Sequence, residues 1–162
     1  MIDLIKSKIQ SWETIRTTVT EWKKAGQKVV FTNGCFDILH YGHIHYLAQA
    51  RALGDKLVIG LNSKASVSRL KGPNRPINAD ETRLYLLASL QFVDAVVVFE
   101  EDTPLNLLTL VKPDILVKGG DYTIETIVGA DIVINNGGEV KCLDFVQGYS
   151  TTSIEEKLRR EE

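Results

Sequence analysis

The sequence is poor in cysteine, with only Cys35 and Cys142 among its 162 residues. Two distant cysteines cannot build the disulfide framework on which small secreted domains depend. Long apolar runs are also missing, and the first ten residues carry several charges. We therefore expect neither a signal peptide nor a bilayer-spanning helix, and these absences predict a protein of the reducing cytoplasm.

A strong charge of either sign is missing too. The sequence has 19 Lys and Arg against 21 Asp and Glu, which gives a formal net charge of -2. Because nucleic-acid binders usually present a basic surface, this balance argues against a nucleic acid as the partner. There is no internal repeat and no low-complexity segment, and the length suits one domain with a single core.

Short apolar runs rich in β-branched residues alternate with helical patterns. The runs predict buried strands over residues 28–32, 56–60, 95–99, 114–117 and 140–145. The helical patterns cover residues 11–25, 44–53, 79–91, 104–111, 125–135 and 152–160. The alternation is typical of an α/β fold, a Rossmann-like doubly wound parallel sheet of about five strands with helices on both faces. We expect a single domain, with residues 1–26 as a helical lead-in and residues 27–162 as the core.

The turn after the first predicted strand is rich in glycine and histidine. All three histidines, His40, His43 and His45, lie within six residues. Gly34 allows a ligand to approach the backbone closely, and Gly42 does so where the next helix begins. Ligands of such sheets bind at the carboxyl ends of the strands, and a helix start attracts anions. The turn therefore predicts a phosphate site with His40 and His43 as donors.

Other interpretations fit the same turn. His40, His43 and His45 could bind a metal with Cys35, although residues 43 and 45 would point to different sides of a helix, so one must drop out. Cys35 and His40 could form a nucleophilic pair, but no residue stands out as the partner that would orient the histidine. An ordinary strand-to-helix turn with packed histidines is the remaining interpretation.

The run His40-Tyr41-Gly42-His43 resembles the HxGH signature of the α/β nucleotidyltransferase superfamily. The longer string TNGCFDILHYGHIHYL is similar to the heptose 1-phosphate adenylyltransferases of lipopolysaccharide precursor synthesis. The similarity continues through LKGPNRPIN, VDAVVVFEEDTP, PDILVKGGDY, IVGAD, GGEV and GYSTTSI, and covers residues 28–158. In many relatives this domain follows a sugar kinase, and without one this sequence is expected to be the stand-alone form.

The resemblance implies that a sugar 1-phosphate attacks the α-phosphorus of ATP and that pyrophosphate leaves. This nucleophile is already an anion, so no general base is needed, and the lack of an obvious Ser–His–Asp set is expected. Catalysis then depends on positioning and on cationic and N–H donors, with Mg²⁺ assisting. The expected partners are ATP and a sugar phosphate, and family habit implies a homo-oligomer, a dimer or larger.

The motifs and the resemblance together assign roles to single residues. His40, His43 and Lys71 are expected to be catalytic. The nucleotide is expected to contact Asn33, Gly34, Cys35, Phe36, Gly42, Gly119, Asp121, Gly148, Tyr149, Ser150, Thr151 and Thr152. The substrate-binding residues are expected to be Asp37, Arg75 and Arg83.

The segment over residues 70–78 contains two prolines and a glycine together with Lys71 and Arg75. We expect it to be a mobile loop that closes over the phosphates. A carboxylate in the turn would repel ATP, so Asp37 is expected to face the sugar, a cation or the backbone. Asn33 is expected to hold the same turn through side-chain bonds to the backbone.

Two further expectations concern helices. Arg83 could pair with Asp80 or Glu81 on an exposed helix face instead of contacting substrate. The last helix contains two matches to a capping box, with either Thr152 or Ser153 as the N-cap.

Three rival functions stay open. A cytidylyltransferase for glycerol 3-phosphate or another polyol phosphate would share the phosphate motifs and differ at the base, where Phe36 and residues 148–149 are candidates. A non-catalytic nucleotide-binding module predicts the loss of a cationic element, whereas His40, His43 and Lys71 are all present. A metal-dependent hydrolase would contain a bound metal.

Overall fold

The computed structural model describes residues 1–120 and 122–160. Its strands are β1 (Val29–Gly34), β2 (Lys56–Asn62), β3 (Ala95–Phe99), β4 (Ile115–Gly119) and β5 (Glu139–Leu143). Its helices are α1 (Ile2–Lys8), α2 (Trp12–Lys24), α3 (Tyr41–Arg51), α4 (Lys64–Lys71), α5 (Asp80–Ser89), α6 (Leu105–Val111), α7 (Ala130–Asn135) and α8 (Thr151–Arg159). A 3₁₀ turn lies at Ile124–Thr126.

The five strands form one parallel sheet in the order β3-β2-β1-β4-β5. The chain moves outward from β1 to β3 and then returns to the other side of β1 for β4 and β5. The strand order therefore switches direction between β1 and β4, and in such sheets this point opens a crevice beyond the carboxyl ends of the strands. The predicted Rossmann-like α/β fold is confirmed.

Each face of the sheet is covered by its own apolar layer. Alternate residues of β1 point to opposite faces, so Phe31 belongs to one cluster and Val30 to the other. Ile15 of α2 packs on the Phe31 side. Leu47 of α3 and Leu87 of α5 pack on the Val30 side. Helices therefore lie on both faces, as the sequence predicts.

The first helices belong to this core. The hydroxyl of Ser11 accepts a hydrogen bond from the Thr14 backbone N–H at 3.1 Å and caps α2. Ile15 has no exposed surface. The indole N–H of Trp12 donates to the Val98 carbonyl of β3 at 2.9 Å. Ile5 of α1 packs on the opposite, Val30 side, so the residues predicted as a lead-in help to cover both faces of the sheet.

The helix predicted over residues 125–135 is interrupted. The 3₁₀ turn ends at Thr126, and α7 begins only after Gly129, whose φ is +83°. A residue in this left-handed conformation cannot continue a right-handed helix, which explains the break. No helix in residues 1–120 and 122–160 is long and apolar enough to cross a membrane.

Candidate active site

A cleft of about 580 Å³ lies at the carboxyl ends of β1 and β4, at the switch in strand order. Several predicted site residues line it: Asn33, Gly34, Cys35, Phe36, Asp37, His43, Lys71, Gly119 and Thr151. The other predicted residues within the described part of the chain do not line it: His40, Gly42, Arg75, Arg83, Gly148, Tyr149, Ser150 and Thr152. Asp121 lies outside the described residues. The sheet thus brings distant motifs to one edge.

The turn over residues 35–40, here called the β1–α3 turn, is held in a strained conformation. Phe36 has a φ of +43°, a left-handed conformation that costs a non-glycine residue about 1–2 kcal/mol. A Cβ added to Gly34 would lie 2.9 Å from the Phe36 ring, so the ring packs directly on the glycine. The same ring meets His43 edge-on, with centroids 5.4 Å apart. The turn therefore fixes the place of His43.

Arg83 supports the β1–α3 turn from within the protein. Its side chain has no exposed surface. One guanidinium nitrogen donates to the Cys35 carbonyl at 2.7 Å and to the Asn62 carbonyl at 2.8 Å. Another donates to the Asp80 carboxylate at 2.6 Å. The predicted pairing with Asp80 is present, but the predicted exposed helix face is wrong, and we assign Arg83 to positioning the turn instead of binding substrate.

His40 and His43 form a stacked pair at the start of α3. Their ring centroids are 3.9 Å apart and their planes differ by 24°. Both Nδ1 atoms are buried and have no hydrogen-bond partner among the described residues. Burial lowers the pKa of both rings; for His43 it falls to about 4, helped by the nearby charges of His40 and Lys71. Both rings are therefore mainly neutral at pH 7.

His45 lies apart from this pair. Its ring is 5.8 Å from that of Tyr41, and it does not line the cleft. Within residues 1–120 and 122–160, no three His, Cys, Asp or Glu side chains are grouped so that they could hold a metal ion. The residues that the alternative metal site would need are thus not brought together.

Lys71 reaches the cleft from a helix. It is the last residue of α4, which begins after a cap at Ser63, and Gly72 follows with a φ of +101°. The predicted loop over residues 70–78 therefore starts later than expected, because its first two residues are helical. Lys71 is exposed and lines the cleft.

Asp37 and Arg75 tie the segment after Gly72 to the β1–α3 turn. The Asp37 carboxylate accepts hydrogen bonds from Arg75 Nε at 2.8 Å and from the backbone N–H groups of Ile77 and Asn78 at 2.7 and 2.8 Å. Burial by itself would raise the pKa of Asp37, but these hydrogen bonds outweigh it and hold the pKa below its usual value. Asp37 thus faces a cation and the backbone, two of its three expected partners.

The segment before α8 packs on the start of α3. A Cβ added to Gly42 would lie 3.1 Å from the His40 ring and 3.2 Å from Cβ of Tyr149. The rings of Tyr149 and Tyr41 meet edge-on with centroids 5.1 Å apart. Gly42 is therefore needed for this close packing, and the backbone of both segments lies beside the histidine pair.

The N-cap of α8 is Ser150. Its hydroxyl accepts a hydrogen bond from the Ser153 backbone N–H at 3.0 Å, and the Ser153 side chain bonds back to the backbone of Ser150. The predicted N-caps, Thr152 and Ser153, are both wrong. The capping box starts at Ser150, and its fourth residue is a serine where the sequence pattern expects a glutamate. Thr151 lines the cleft, whereas Thr152 is exposed.

Lys118 begins the run of residues 118–122 that the resemblance places near the nucleotide, but no role was predicted for the lysine itself. It lies in β4 and its Nζ donates to the Asn33 side-chain oxygen across the switch point at 3.1 Å. Asn33 was expected to bond the backbone of its own turn, and its described hydrogen bond instead holds this lysine. Burial lowers the pKa of Lys118. No carboxylate of the described residues pairs with it, so an anionic ligand would supply the missing counter-charge. The sequence feature that could have identified this cation is a lysine near the carboxyl end of a predicted buried strand.

Two aromatic side chains on the β4 side of the cleft, Phe145 and Tyr122, had no predicted role, although Tyr122 ends the run of residues 118–122 that the resemblance places near the nucleotide. Phe145 packs on Gly119, where an added Cβ would lie 2.5 Å from its ring. Its residue is nevertheless 60% exposed. Tyr122 is half exposed and lines the same side. An aromatic ring with one packed face and one open face at a cleft suits the stacking of a planar base.

Comparison with known proteins agrees with the fold and the motifs. Residues 31–157 match the cytidylyltransferase-like family. A bifunctional protein HldE from Syntrophotalea carbinolica is 55% identical over 152 residues, which are 94% of this chain and 31% of that protein. The HldE of Pseudomonas syringae pv. syringae is 58% identical over 147 residues, 91% of this chain and again 31% of the relative. The chain therefore spans about a third of the length of these relatives.

Two solved structures are similar as well. The lipopolysaccharide core biosynthesis protein from Thermoplasma volcanium is 34% identical, with a TM-score of 0.60, over 77% of this chain and all of that one. A pantoate-beta-alanine ligase from Francisella tularensis has a TM-score of 0.64 over 93% of this chain and 76% of its own. At 16% identity the ligase shows the fold alone. The match over residues 31–157 covers most of the sequence, and the chain belongs to the cytidylyltransferase-like family of nucleotidyltransferases.

Proposed function

We propose that this chain is an adenylyltransferase that joins the AMP part of ATP to D-glycero-D-manno-heptose 1-phosphate. The products are ADP-heptose, a precursor of the lipopolysaccharide core, and pyrophosphate. The observation that carries the proposal is the convergence of Lys71, Lys118 and His43 on one cleft at the switch point, with His40 stacked on His43. The motif strings and the similarity to a lipopolysaccharide core biosynthesis protein support the choice of acceptor.

In this reaction an oxygen of the sugar phosphate forms a bond to the α-phosphorus of ATP, and the bond from that phosphorus to pyrophosphate breaks. The nucleophile is already ionised, so no proton has to be removed. The protein has to hold two anions together and stabilise the charge that grows on the leaving group. Lys71, Lys118 and His43, which line the cleft, are suited to this work because they are cations or donors.

The histidine pair is expected to become more protonated when the substrate binds. In the free protein burial keeps the pKa of His43 at about 4, so the ring is neutral. Phosphate oxygens beside the ring favour its protonated form, which is a better donor to a charged oxygen. The stacked His40 and the strained Phe36 hold the ring in place before the substrate arrives.

Lys71 and Lys118 lie on different sides of the cleft. Lys118 is fixed by Asn33 on the β4 side, and Lys71 ends α4 on the β2 side beside Gly72. A fixed cation contributes to binding the resting complex, whereas an exposed one that moves onto the substrate contributes chiefly to the transition state. We therefore propose that Lys118 binds phosphate from the outset and that Lys71 completes the site.

We propose that Mg²⁺ enters with ATP as part of the substrate. In the part of the chain that the structure describes, no carboxylate cluster is available to hold the ion, and the Asp37 oxygens are already taken by Arg75 and by backbone N–H groups. Such an ion would bridge phosphate oxygens and keep most of its waters.

The β4 side offers a place for the base. The open faces of Phe145 and Tyr122 would stack on adenine, and the segment around Gly148 and Tyr149 would close over it. A cytidylyltransferase acting on a polyol phosphate is the second candidate, because the matched family is described as cytidylyltransferase-like. The proposal also includes a cytoplasmic location and a homo-oligomeric state.

The test is to identify the product. Purified protein is incubated with MgATP and D-glycero-D-manno-heptose 1-phosphate, with both anomers tried in separate reactions. The proposal predicts one equivalent of pyrophosphate for each ADP-heptose found by mass spectrometry. Pyrophosphate release without the sugar nucleotide, or turnover with CTP and glycerol 3-phosphate alone, would contradict it.

A further inference from the structure

Helix α8 makes few described contacts with the rest of the protein. None of its nine residues is buried. Within residues 1–120 and 122–160, a single hydrogen bond joins it to a distant part of the chain, from Arg75 Nη1 in the segment between α4 and α5 to Glu155 Oε1 at 2.5 Å. Thr151, one turn before Glu155, lines the cleft. Apart from the packing of Tyr149 on the start of α3, this ion pair is therefore the main described contact that fixes the first turn of α8 relative to the cleft.

Arg75 connects this ion pair to the β1–α3 turn. Its Nε donates to the Asp37 carboxylate at 2.8 Å. The side chains of Asp37, Arg75 and Glu155 are 1%, 16% and 20% exposed, so the chain of contacts is largely shielded from water. Shielding weakens screening by salt and makes such contacts stronger than those of an ordinary surface pair. One guanidinium thus joins the turn that precedes His40 to the helix whose start borders the cleft.

We infer that the contact chain from Asp37 through Arg75 to Glu155 sets the position of α8 over the cleft, so that Glu155 is a positioning residue for nucleotide binding. The inference rests on the proposed function, because it takes the triphosphate of ATP as the ligand. With the ion pair made, the first turn of α8 stays beside the histidine pair. Without it, α8 keeps only partly exposed contacts and loses its fixed place.

Replacement of Glu155 by a neutral residue distinguishes the positioning role from a simple electrostatic effect. Glu155 is a negative charge close to a cleft for a polyanion, so by Coulomb's law its removal should strengthen ATP binding. Positioning predicts the opposite, because the binding turn of α8 is no longer held. Arg75 itself is a poorer choice for substitution, since its loss would also leave the buried Asp37 without its cation.

The experiment compares wild type with Glu155→Ala, Glu155→Gln and Glu156→Ala by calorimetric titration of MgATP. Glu156 is exposed on the same helix and serves as the matched control. Because charge-assisted hydrogen bonds are among the stronger ones, we expect Glu155→Ala to raise the ATP dissociation constant about tenfold. Glu155→Gln keeps an acceptor oxygen and should lose less. In Glu156→Ala, the ATP dissociation constant and the turnover number should both stay within about twofold of wild type.

A second readout does not depend on activity. Trypsin can cut α8 after Lys157 and Arg159, and cutting should be faster in Glu155→Ala than in Glu156→Ala. Equal ATP affinity in these two variants, tighter binding in Glu155→Ala, or equal cutting rates would overturn the inference. A wild-type protein that binds ATP but releases no pyrophosphate would overturn the proposed reaction and leave the comparison decisive. One that binds no nucleotide would overturn both.

Discussion

The imidazole rings of His40 and His43 lie face to face, with centroids 3.9 Å apart. At this distance a proton on one ring disfavours a proton on the other, and burial lowers the pKa of each in the first place. Neither ring has a described partner at Nδ1. Under the proposed function, phosphate oxygens would add charge to the pair, and the two rings would act as one unit.

Replacement of either histidine by alanine should reduce turnover strongly. The loss of one pre-organised donor to a developing charge typically costs about 3–4 kcal/mol, or roughly a hundredfold to a thousandfold. Because the rings act as one unit, the turnover of the double variant should be only slightly lower than that of the less active single variant. His45→Ala, outside the cleft, is the control and should change turnover little. Steady-state kinetics decide the matter, and equal modest losses at all three positions would contradict the assignment.

Binding of ATP should take up protons. The pKa of His43 is about 4 in the free protein, and phosphate oxygens raise it. Linkage then requires that ATP binds more tightly as the pH falls from about 7 towards 5. Calorimetry at pH 6 in two buffers of different ionisation enthalpy measures the uptake directly. His43→Gln should reduce it, and uptake that is unchanged in this variant would show that another group titrates.

The same pKa has a consequence for stability. The folded value of about 4 lies below the ordinary histidine value of about 6.5, so the unfolded state binds more protons between these two pH values. The free protein should therefore lose stability as the pH falls through that window. Thermal unfolding followed from pH 7.5 to pH 4.5 should show a shallower fall in His43→Gln than in wild type.

Much of the site could be predicted because the sheet places strand ends together. The motifs after β1 and β4 and before α8 are far apart in sequence, yet the parallel order brings Cys35, Gly119 and Thr151 to one cleft. The strands were recognisable since buried parallel strands read as short apolar runs. The pattern needed no knowledge of side-chain contacts.

The roles of charged residues could not be predicted in the same way. Arg83 and Arg75 looked like substrate ligands because arginine near a phosphate motif suits that role. Their guanidinium groups are instead taken by Cys35 and Asn62 carbonyls in one case and by carboxylates in the other. Which acceptor an arginine reaches depends on tertiary distances, and sequence spacing does not contain them.

Substitutions of Lys71 and of Lys118 should change different quantities, turnover in the first case and ATP affinity in the second. Lys71→Ala should lower turnover much more than it weakens ATP binding, because an exposed lysine at a helix end engages late. Lys118→Met should weaken ATP binding and leave turnover at saturation less affected, since Asn33 holds this cation in the resting protein. Lys71→Arg should rescue only in part, as a planar fork replaces a compact charge.

Turnover and ATP affinity are measured for each lysine variant. If Lys71→Ala loses affinity as far as kcat/KM while kcat holds, Lys71 is only a binding contact. If neither quantity changes, it belongs to a solvated helix end. Affinity that is unaffected by Lys118→Met would remove that residue from the phosphate site.

Arg83→Met should destabilise the fold. The substitution leaves the buried carbonyl of Asn62 and the partly buried carbonyl of Cys35 without their described donor, and an unsatisfied buried group costs about 1–3 kcal/mol. We expect the free energy of unfolding to fall by about 2–4 kcal/mol, with turnover reduced because the β1–α3 turn loses its support. Glu81→Gln on the exposed side of α5 is the control. Denaturant titration gives the stability, and a raised KM for the acceptor in a variant of full stability would restore Arg83 to substrate binding.

The central claim is adenylyl transfer to a heptose 1-phosphate. Its most direct measurement is kcat/KM for pyrophosphate release, with ATP and CTP each paired with heptose 1-phosphate and with glycerol 3-phosphate, in the presence and absence of Mg²⁺. The account predicts that ATP with heptose 1-phosphate is preferred by at least about a hundredfold, which is about 2.7 kcal/mol in transition-state binding, and that activity requires Mg²⁺. A preference for CTP with glycerol 3-phosphate, or release of pyrophosphate with none of the four pairs, would contradict it.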